Sequence, residues 1–219
     1  MQVSPPTRKP LIKRVKRKVL RSLRWTRHYQ LKRPLGMEPR WAMIEAELSD
    51  EATLLDVGCN LGIYTRRAAE RGMIALGVDL ERRHIDKARV MHADVPGLAF
   101  LFMNLGPREI ARLPTFDATL CLSVHHHWAR QFGLDASWEM MRTLLGHTRR
   151  KLFFEPASIR SKYEPHAPKI VDNDRGSIIE TNLAALRSVA PPDCSVRHLG
   201  ESPCMGKEPF RLLFLAERA

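Results

Sequence analysis

"LLDVGCNLGIYT", residues 54–65, runs from a short apolar block into two glycines, Gly58 and Gly62, that bracket Cys59, Asn60 and Leu61. A glycine at the end of a strand lets the backbone turn sharply and approach a ligand, because no Cβ intervenes. A following helix then offers its N-terminal amides. Residues 62–71 read as that helix, with Gly72 as its terminator. A dinucleotide site would require G-x-G-x-x-G, but here Asn60 stands at the middle glycine position and Ile63 at the last. The phosphate loop ending in G-K-[ST] is absent too. The plainer reading is a strand-to-helix turn with no ligand at all.

Outward from this turn, apolar blocks of strand length alternate with helix-length segments, the pattern of a parallel sheet covered on both faces. Strands are expected near residues 53–58, 74–79, 98–104, 117–122 and 151–155, with helices at 62–71, 81–92, 107–112 and 133–147. A further helix, 38–48, leads into the domain. Residues 156–177 contain three prolines and no sustained periodicity, so a long functional or disordered loop is expected there. Helical spacing resumes at 178–189, and strands at 194–199 and 210–217, separated by Pro203, Gly206 and Pro209, suit an antiparallel pair. The fold class is α/β.

A chain of 219 residues accommodates one sizeable core, here 38–219, plus an arm of residues 1–37. Its 44% hydrophobic and 27% charged residues exclude a disordered chain, and no apolar run approaches the roughly 20 residues of a membrane span. With cations interrupting the N-terminus before any signal-like apolar segment, the expected location is cytoplasmic. The net charge of +12 resides in the arm: twelve Lys and Arg precede the first acid, Glu38, and the remaining 24 cations balance 24 acids. Residues 11–23 read as a basic amphipathic helix, stopped by Pro34 and Gly36. Cys59, Cys121, Cys194 and Cys204 lie too far apart to suggest a disulfide framework or a zinc site, and Cys121 reads as a core residue.

The glycine turn resembles the first motif of the class I S-adenosylmethionine-dependent methyltransferases, in the variant D-x-G-C-N-x-G that runs from Asp56 to Gly62. "IALGVDLE", "LAFLFMNL", "LPTFDATLCLSVHHHW" and "KLFFEP" continue the resemblance in order over residues 50–217. It implies a Rossmann-like seven-stranded sheet, mostly parallel with an antiparallel C-terminal strand, and helices on both faces. It also implies S-adenosylmethionine as cofactor, held by Asp56, Gly58, Cys59, Asn60, Gly62, Asp79, Asn104 and Ser123. Asp79 would accept hydrogen bonds from both ribose hydroxyls, since a carboxylate has two acceptor oxygens. Asn104 takes the place of the family's usual Asp beside the adenine amine, and Asn60 would bind the amino acid end of the cofactor. The bland alternative for Asp79 is a helix N-cap.

His125, His126 and His127 follow the fourth strand, on the edge where open parallel sheets bind ligands. His126 or His127 is the candidate general base for a hydroxyl acceptor, because an unperturbed imidazole titrates near neutrality. Glu155 is placed with them, to orient a histidine or bind a substrate hydroxyl, and His125, Tyr163 and His166 are candidate substrate contacts. Simple packing of the histidines is the alternative. No metal is expected, because three adjacent side chains point in different directions. The first expectation for the acceptor is a saccharide, lipid-linked or in an envelope glycan, or a small metabolite. Residues 8–33 would then meet an anionic membrane surface at its inner face. RNA, at a terminal phosphate or ribose, comes second, from a likeness of "LCLSVHHHW" and "FFEPASIRSKY" to phosphate-methylating enzymes. A non-catalytic polyanion-binding module comes third.

Overall fold

The computed structural model describes residues 34–156, 175–203 and 210–219. The basic helix expected at 11–23, Cys204, Tyr163 and His166 all lie outside them. Seven helices, α1 (Pro34–Glu47), α2 (Ile63–Glu70), α3 (Arg82–Met91), α4 (Pro107–Ile110), α5 (His125–Phe132), α6 (Leu134–Gly146) and α7 (Arg175–Val189), are present among the described residues. The seven strands are β1 (Thr53–Val57), β2 (Ile74–Asp79), β3 (Leu98–Phe102), β4 (Phe116–Leu122), β5 (Thr148–Glu155), β6 (Cys194–Pro203) and β7 (Phe210–Arg218).

The strands form one sheet in the order β3-β2-β1-β4-β5-β7-β6. The first five are parallel, and β7 runs antiparallel to both β5 and β6. Strands buried on both faces read as continuous apolar runs, and β1, TLLDV, is buried in every residue but its first. On one face Ile110, Trp128, Met141, Leu144 and Leu186 of α4–α7 cover Leu55, Val57, Cys121 and Phe154. On the other, Trp41 and Ile44 of α1 and Leu48 just after it pack with Ala68 and Ala69 of α2 over Leu54, Leu120 and Phe153.

Helix α1 is anchored through its apolar side. Ile44 is fully buried, a contribution of about 1.5–3 kcal/mol for such a side chain. Trp41 stacks on Tyr64 of α2 with ring centroids 5.9 Å apart. Pro34 opens this helix, a position where its missing N–H has no consequence, and the helix it was expected to stop lies outside the described residues.

Two boundaries differ from expectation. Residues 125–132 form a helix of their own where only a strand exit was expected. Gly133, at φ +93°, breaks the path before α6 starts, so one long segment becomes two helices. Strand β6 extends to Pro203 rather than 199, because the pairing with β7 absorbs an irregularity between His198 and Gly200 and carries on.

Candidate active site

Because β1 to β5 are parallel, their carboxyl ends share one edge. The order reverses between β1 and β4, which opens a crevice there. The glycine turn lines its first half. Gly58 and Gly62 both adopt φ +70° and Asn60 φ +53°, so the turn is built from left-handed residues. A Cβ on Gly58 would stand 2.5 Å from Val124 Cγ2, and one on Gly62 2.2 Å from the Phe100 ring. The glycines are therefore required by packing as well as by conformation. The amides of Gly58 and Cys59 both donate to the Val78 carbonyl, at 2.7 and 3.0 Å, tying the turn to β2.

Asp79 closes β2 beside this turn. Its Oδ2 accepts from the Asn60 amide and its Oδ1 from the Glu81 amide, each at 2.8 Å, with His84 Nδ1 3.4 Å from Oδ1. Burial disfavours the ionised carboxyl, yet the bonds from His84 and the two amides outweigh it and hold the pKa below its ordinary value. Asn60 is committed to the loop: its Oδ1 accepts from the Leu61 amide at 2.9 Å, and its Nδ2 lies 3.3 Å from His84 Nδ1. Beneath the turn, the buried Asp56 accepts from Thr65 of α2 at 2.7 Å. Cys59 packs with Ile85, Ala88 and Phe100. Asn104 is exposed, two residues beyond β3.

The second half of the crevice is built from side chains. Ser123, at φ +57°, leaves β4. Its amide donates to the Glu155 carbonyl at 2.9 Å and its hydroxyl donates to Glu155 Oε1. Glu155 is 1% exposed, and its Oε2 lies 2.7 Å from Arg40 Nε of α1. The direct partners of Glu155 are thus Ser123 and Arg40 rather than a histidine ring, and it holds the β4 exit.

The three histidines occupy the first turn of α5 and separate by burial. His125 is 4% exposed, lies against Trp138 at 4.2 Å between ring centroids, and meets Phe154 edge-on. Ser137 Oγ gives its only proton to the Leu134 carbonyl at 2.6 Å, so His125 Nε2 must donate to it, across 3.0 Å. Burial lowers the pKa of His125 to about 4. This side chain serves the core and not, as expected, the substrate. His126 is 9% exposed and driven to about 3 by burial, aided by His127, Arg211 and His125. His127 is exposed, with its ring 3.9 Å from that of His126. The cover its imidazole does have lowers its pKa, with Arg130 adding to the effect and Asp79 opposing it.

Residues 55–152 match the sequence model of a family described as a methyltransferase domain. The match places a methyltransferase-like domain over these residues. Over 86 residues the chain is 33% identical to the O-antigen chain terminator bifunctional methyltransferase/kinase WbdD of Escherichia coli, a match that spans 37% of this chain and 12% of that protein. A crystal structure of WbdD shares the fold with a TM-score of 0.61 at 22% identity, covering 80% of this chain and 37% of that one. The magnesium protoporphyrin IX methyltransferase of Synechocystis, solved with bound S-adenosylmethionine, gives 0.53 at 17% identity over 82% of this chain and 76% of that one.

The Synechocystis enzyme binds S-adenosylmethionine, and the first half of the crevice in this chain has groups that suit that molecule. Asp79 Oδ2 has one lone pair engaged by the Asn60 amide and a second for a ribose hydroxyl, while Oδ1 already meets the Glu81 amide and His84, and the exposed Asn104 stands just beyond the end of the neighbouring strand. Two residues around this crevice escaped sequence reading. Arg40 was hidden in a helix read only as a lead-in. His92, 4% exposed, donates through Nε2 to the Leu61 carbonyl of the glycine turn at 2.9 Å. A lone histidine at the end of a helix gives no signal beyond its type. Among the described residues no group of three His, Cys, Asp or Glu is arranged to hold a metal ion.

Proposed function

We propose that this chain transfers the methyl group of S-adenosylmethionine to a hydroxyl of a saccharide, lipid-linked or part of an envelope glycan, with His127 as the base that takes the proton. The observation that carries this reading is the placement of His127. It stands exposed at the β4 exit, against His126 and within the field of Asp79, the ribose-binding candidate across the crevice. The bound cofactor supplies an electrophilic methyl group on a sulfonium. The chain's own work is to align the acceptor and remove its proton.

His126 and His127 are not equivalent for that task. An imidazole with a pKa of about 3, as in His126, holds a proton too weakly to draw one from an alcohol. His127 is more open to solvent and to a substrate, and neutral at physiological pH, the form a base requires. The saccharide class is supported by the likeness to a protein named as an O-antigen chain terminator. The twelve cations before Glu38 suit the anionic membrane surface on which a lipid-linked glycan is presented, at the cytoplasmic face.

The test is to incubate the full chain with methyl-labelled S-adenosylmethionine and, in parallel, lipid-linked oligosaccharide or RNA. Label in a sugar methyl ether is expected. His127→Ala should lower turnover about 10²–10⁴-fold while calorimetry shows cofactor binding retained. Label entering RNA alone, or full turnover in the variant, would overturn the reading.

A further inference from the structure

Helix α1 precedes the glycine turn in the chain, yet one of its side chains reaches the far half of the crevice. Arg40 Nε lies 2.7 Å from Glu155 Oε2, with the two side chains 14% and 1% exposed. The other oxygen of the same carboxylate accepts from Ser123, whose amide also bonds the Glu155 carbonyl. Ser123 is a non-glycine residue at φ +57°, a conformation that persists only when its surroundings enforce it. The next residue, Val124, is the N-cap of α5, and its carbonyl accepts from the His127 amide at 2.8 Å. An unbroken chain of contacts thus runs from the guanidinium of α1 through a buried carboxylate to the turn that sets the direction of the histidines.

We propose that Arg40 is a positioning residue of the methyl-transfer site, acting through Glu155 and Ser123 to fix the turn that aims His126 and His127. The guanidinium occupies one oxygen of the buried carboxylate and leaves the other to accept from Ser123. Removing the cation leaves a buried group without its partner, so the carboxylate must find new contacts, and its bond to Ser123 changes with them. The same helix also packs on α2, which follows the glycine turn: Trp41 stacks on Tyr64, and the Tyr64 hydroxyl donates to the Met37 carbonyl at 3.4 Å. Helix α1 is thus held against α2 while its Arg40 reaches the β4–β5 half of the crevice. Its start, Pro34, directly follows the last of the arm's cations, Arg33.

The inference rests on the reading of the histidines as the acceptor side of a methyltransferase, and the experiment separates the two. Imidazole ¹⁵N resonances of the full chain are assigned with His126→Gln and His127→Gln, then followed in Arg40→Met, Ser123→Ala and Arg40→Met/Glu155→Gln. Displaced His126 and His127 signals are expected in the first two. In the double variant, which removes both charges but keeps an acceptor for Ser123, the signals should return to their original positions. Turnover in Arg40→Met should fall about 10- to 100-fold in kcat, as misalignment of a reacting group does, with the cofactor KM within twofold. Unmoved signals in both Arg40→Met and Ser123→Ala would overturn the proposal. If Arg40→Met does not fold, Ser123→Ala and the double variant decide it alone: displacement in the first and restoration in the second support it, and the reverse overturns it. Displaced signals in a protein that methylates no saccharide would leave the coupling standing and sink the acceptor reading.

Discussion

The two halves of the crevice are held in different ways. On the β1–β2 side, the glycine turn is fixed by backbone: left-handed residues at Gly58, Asn60 and Gly62, amides on the Val78 carbonyl, and amides on both oxygens of Asp79. On the β4–β5 side the fixing is done by side chains that converge from distant elements, Arg40 on Glu155, Glu155 on Ser123 and Ser137 on His125. The first half needs particular residues only where a Cβ or a carboxylate is decisive. The second needs partners that the rest of the fold delivers.

The sharpest way to break the first half is Gly62→Ala. A methyl there meets the Phe100 ring at 2.2 Å in a left-handed conformation. Strain of about 1–2 kcal/mol and overpacking of about 1–3 kcal/mol together predict a loss of about 2–5 kcal/mol in stability by urea denaturation. Gly72→Ala is the control, with φ +89° and nothing within 4 Å of the added Cβ, so it carries only the strain. Equal losses in the two variants would show that Phe100 yields and that contact is not what shapes the turn.

The second half should break with acid. His125 is neutral when folded down to about pH 4, whereas the unfolded chain takes up a proton near the ordinary 6.5. Above pH 6.5 both states are neutral and nothing is lost. As the pH falls from there to about 4, the unfolded state alone gains a proton, and folding stability drops by about 3 kcal/mol. His126, lowered to about 3, extends the loss further. His125→Gln keeps a donor for Ser137 but does not titrate, so its stability should vary that much less across this window. An unchanged acid limb would remove His125 from the elements that hold this half.

The same contrast governs what could be read from sequence. The strands of the parallel sheet were legible because a strand buried on both faces must be apolar throughout, and β1 and β2 lie where their apolar blocks do. Asp79 and the glycines were legible because their roles depend on local spacing. The histidines were not, since three identical residues carry no signal of which faces inward. Only the turn of α5, about 100° per residue, sends His125 into the core and leaves His127 outside. Glu155 was placed at the right strand end with the wrong partner, because Arg40 arrives from a helix more than a hundred residues earlier. Asn60 was expected to face the cofactor, and what spacing did not show is that its backbone amide is bonded to Asp79 while its side chain meets Leu61 and His84.

His92 is the exception that tests how far the comparison reaches, for it is a side chain supporting the half otherwise held by backbone. A carbonyl only accepts, so its contact with Leu61 fixes the ring in the tautomer that carries the proton on Nε2. His92→Gln places an amide N–H near the same point, whereas His92→Leu fills the space against Phe100 and leaves the carbonyl without its donor. One such hydrogen bond contributes about 1 kcal/mol. Calorimetry should therefore show S-adenosylmethionine binding weakened about fivefold in the leucine variant and nearly unchanged in the glutamine one. Equal affinity in wild type and His92→Leu would mean that the glycine turn keeps its shape by backbone alone. The division between the two halves would then be complete rather than bridged by one histidine.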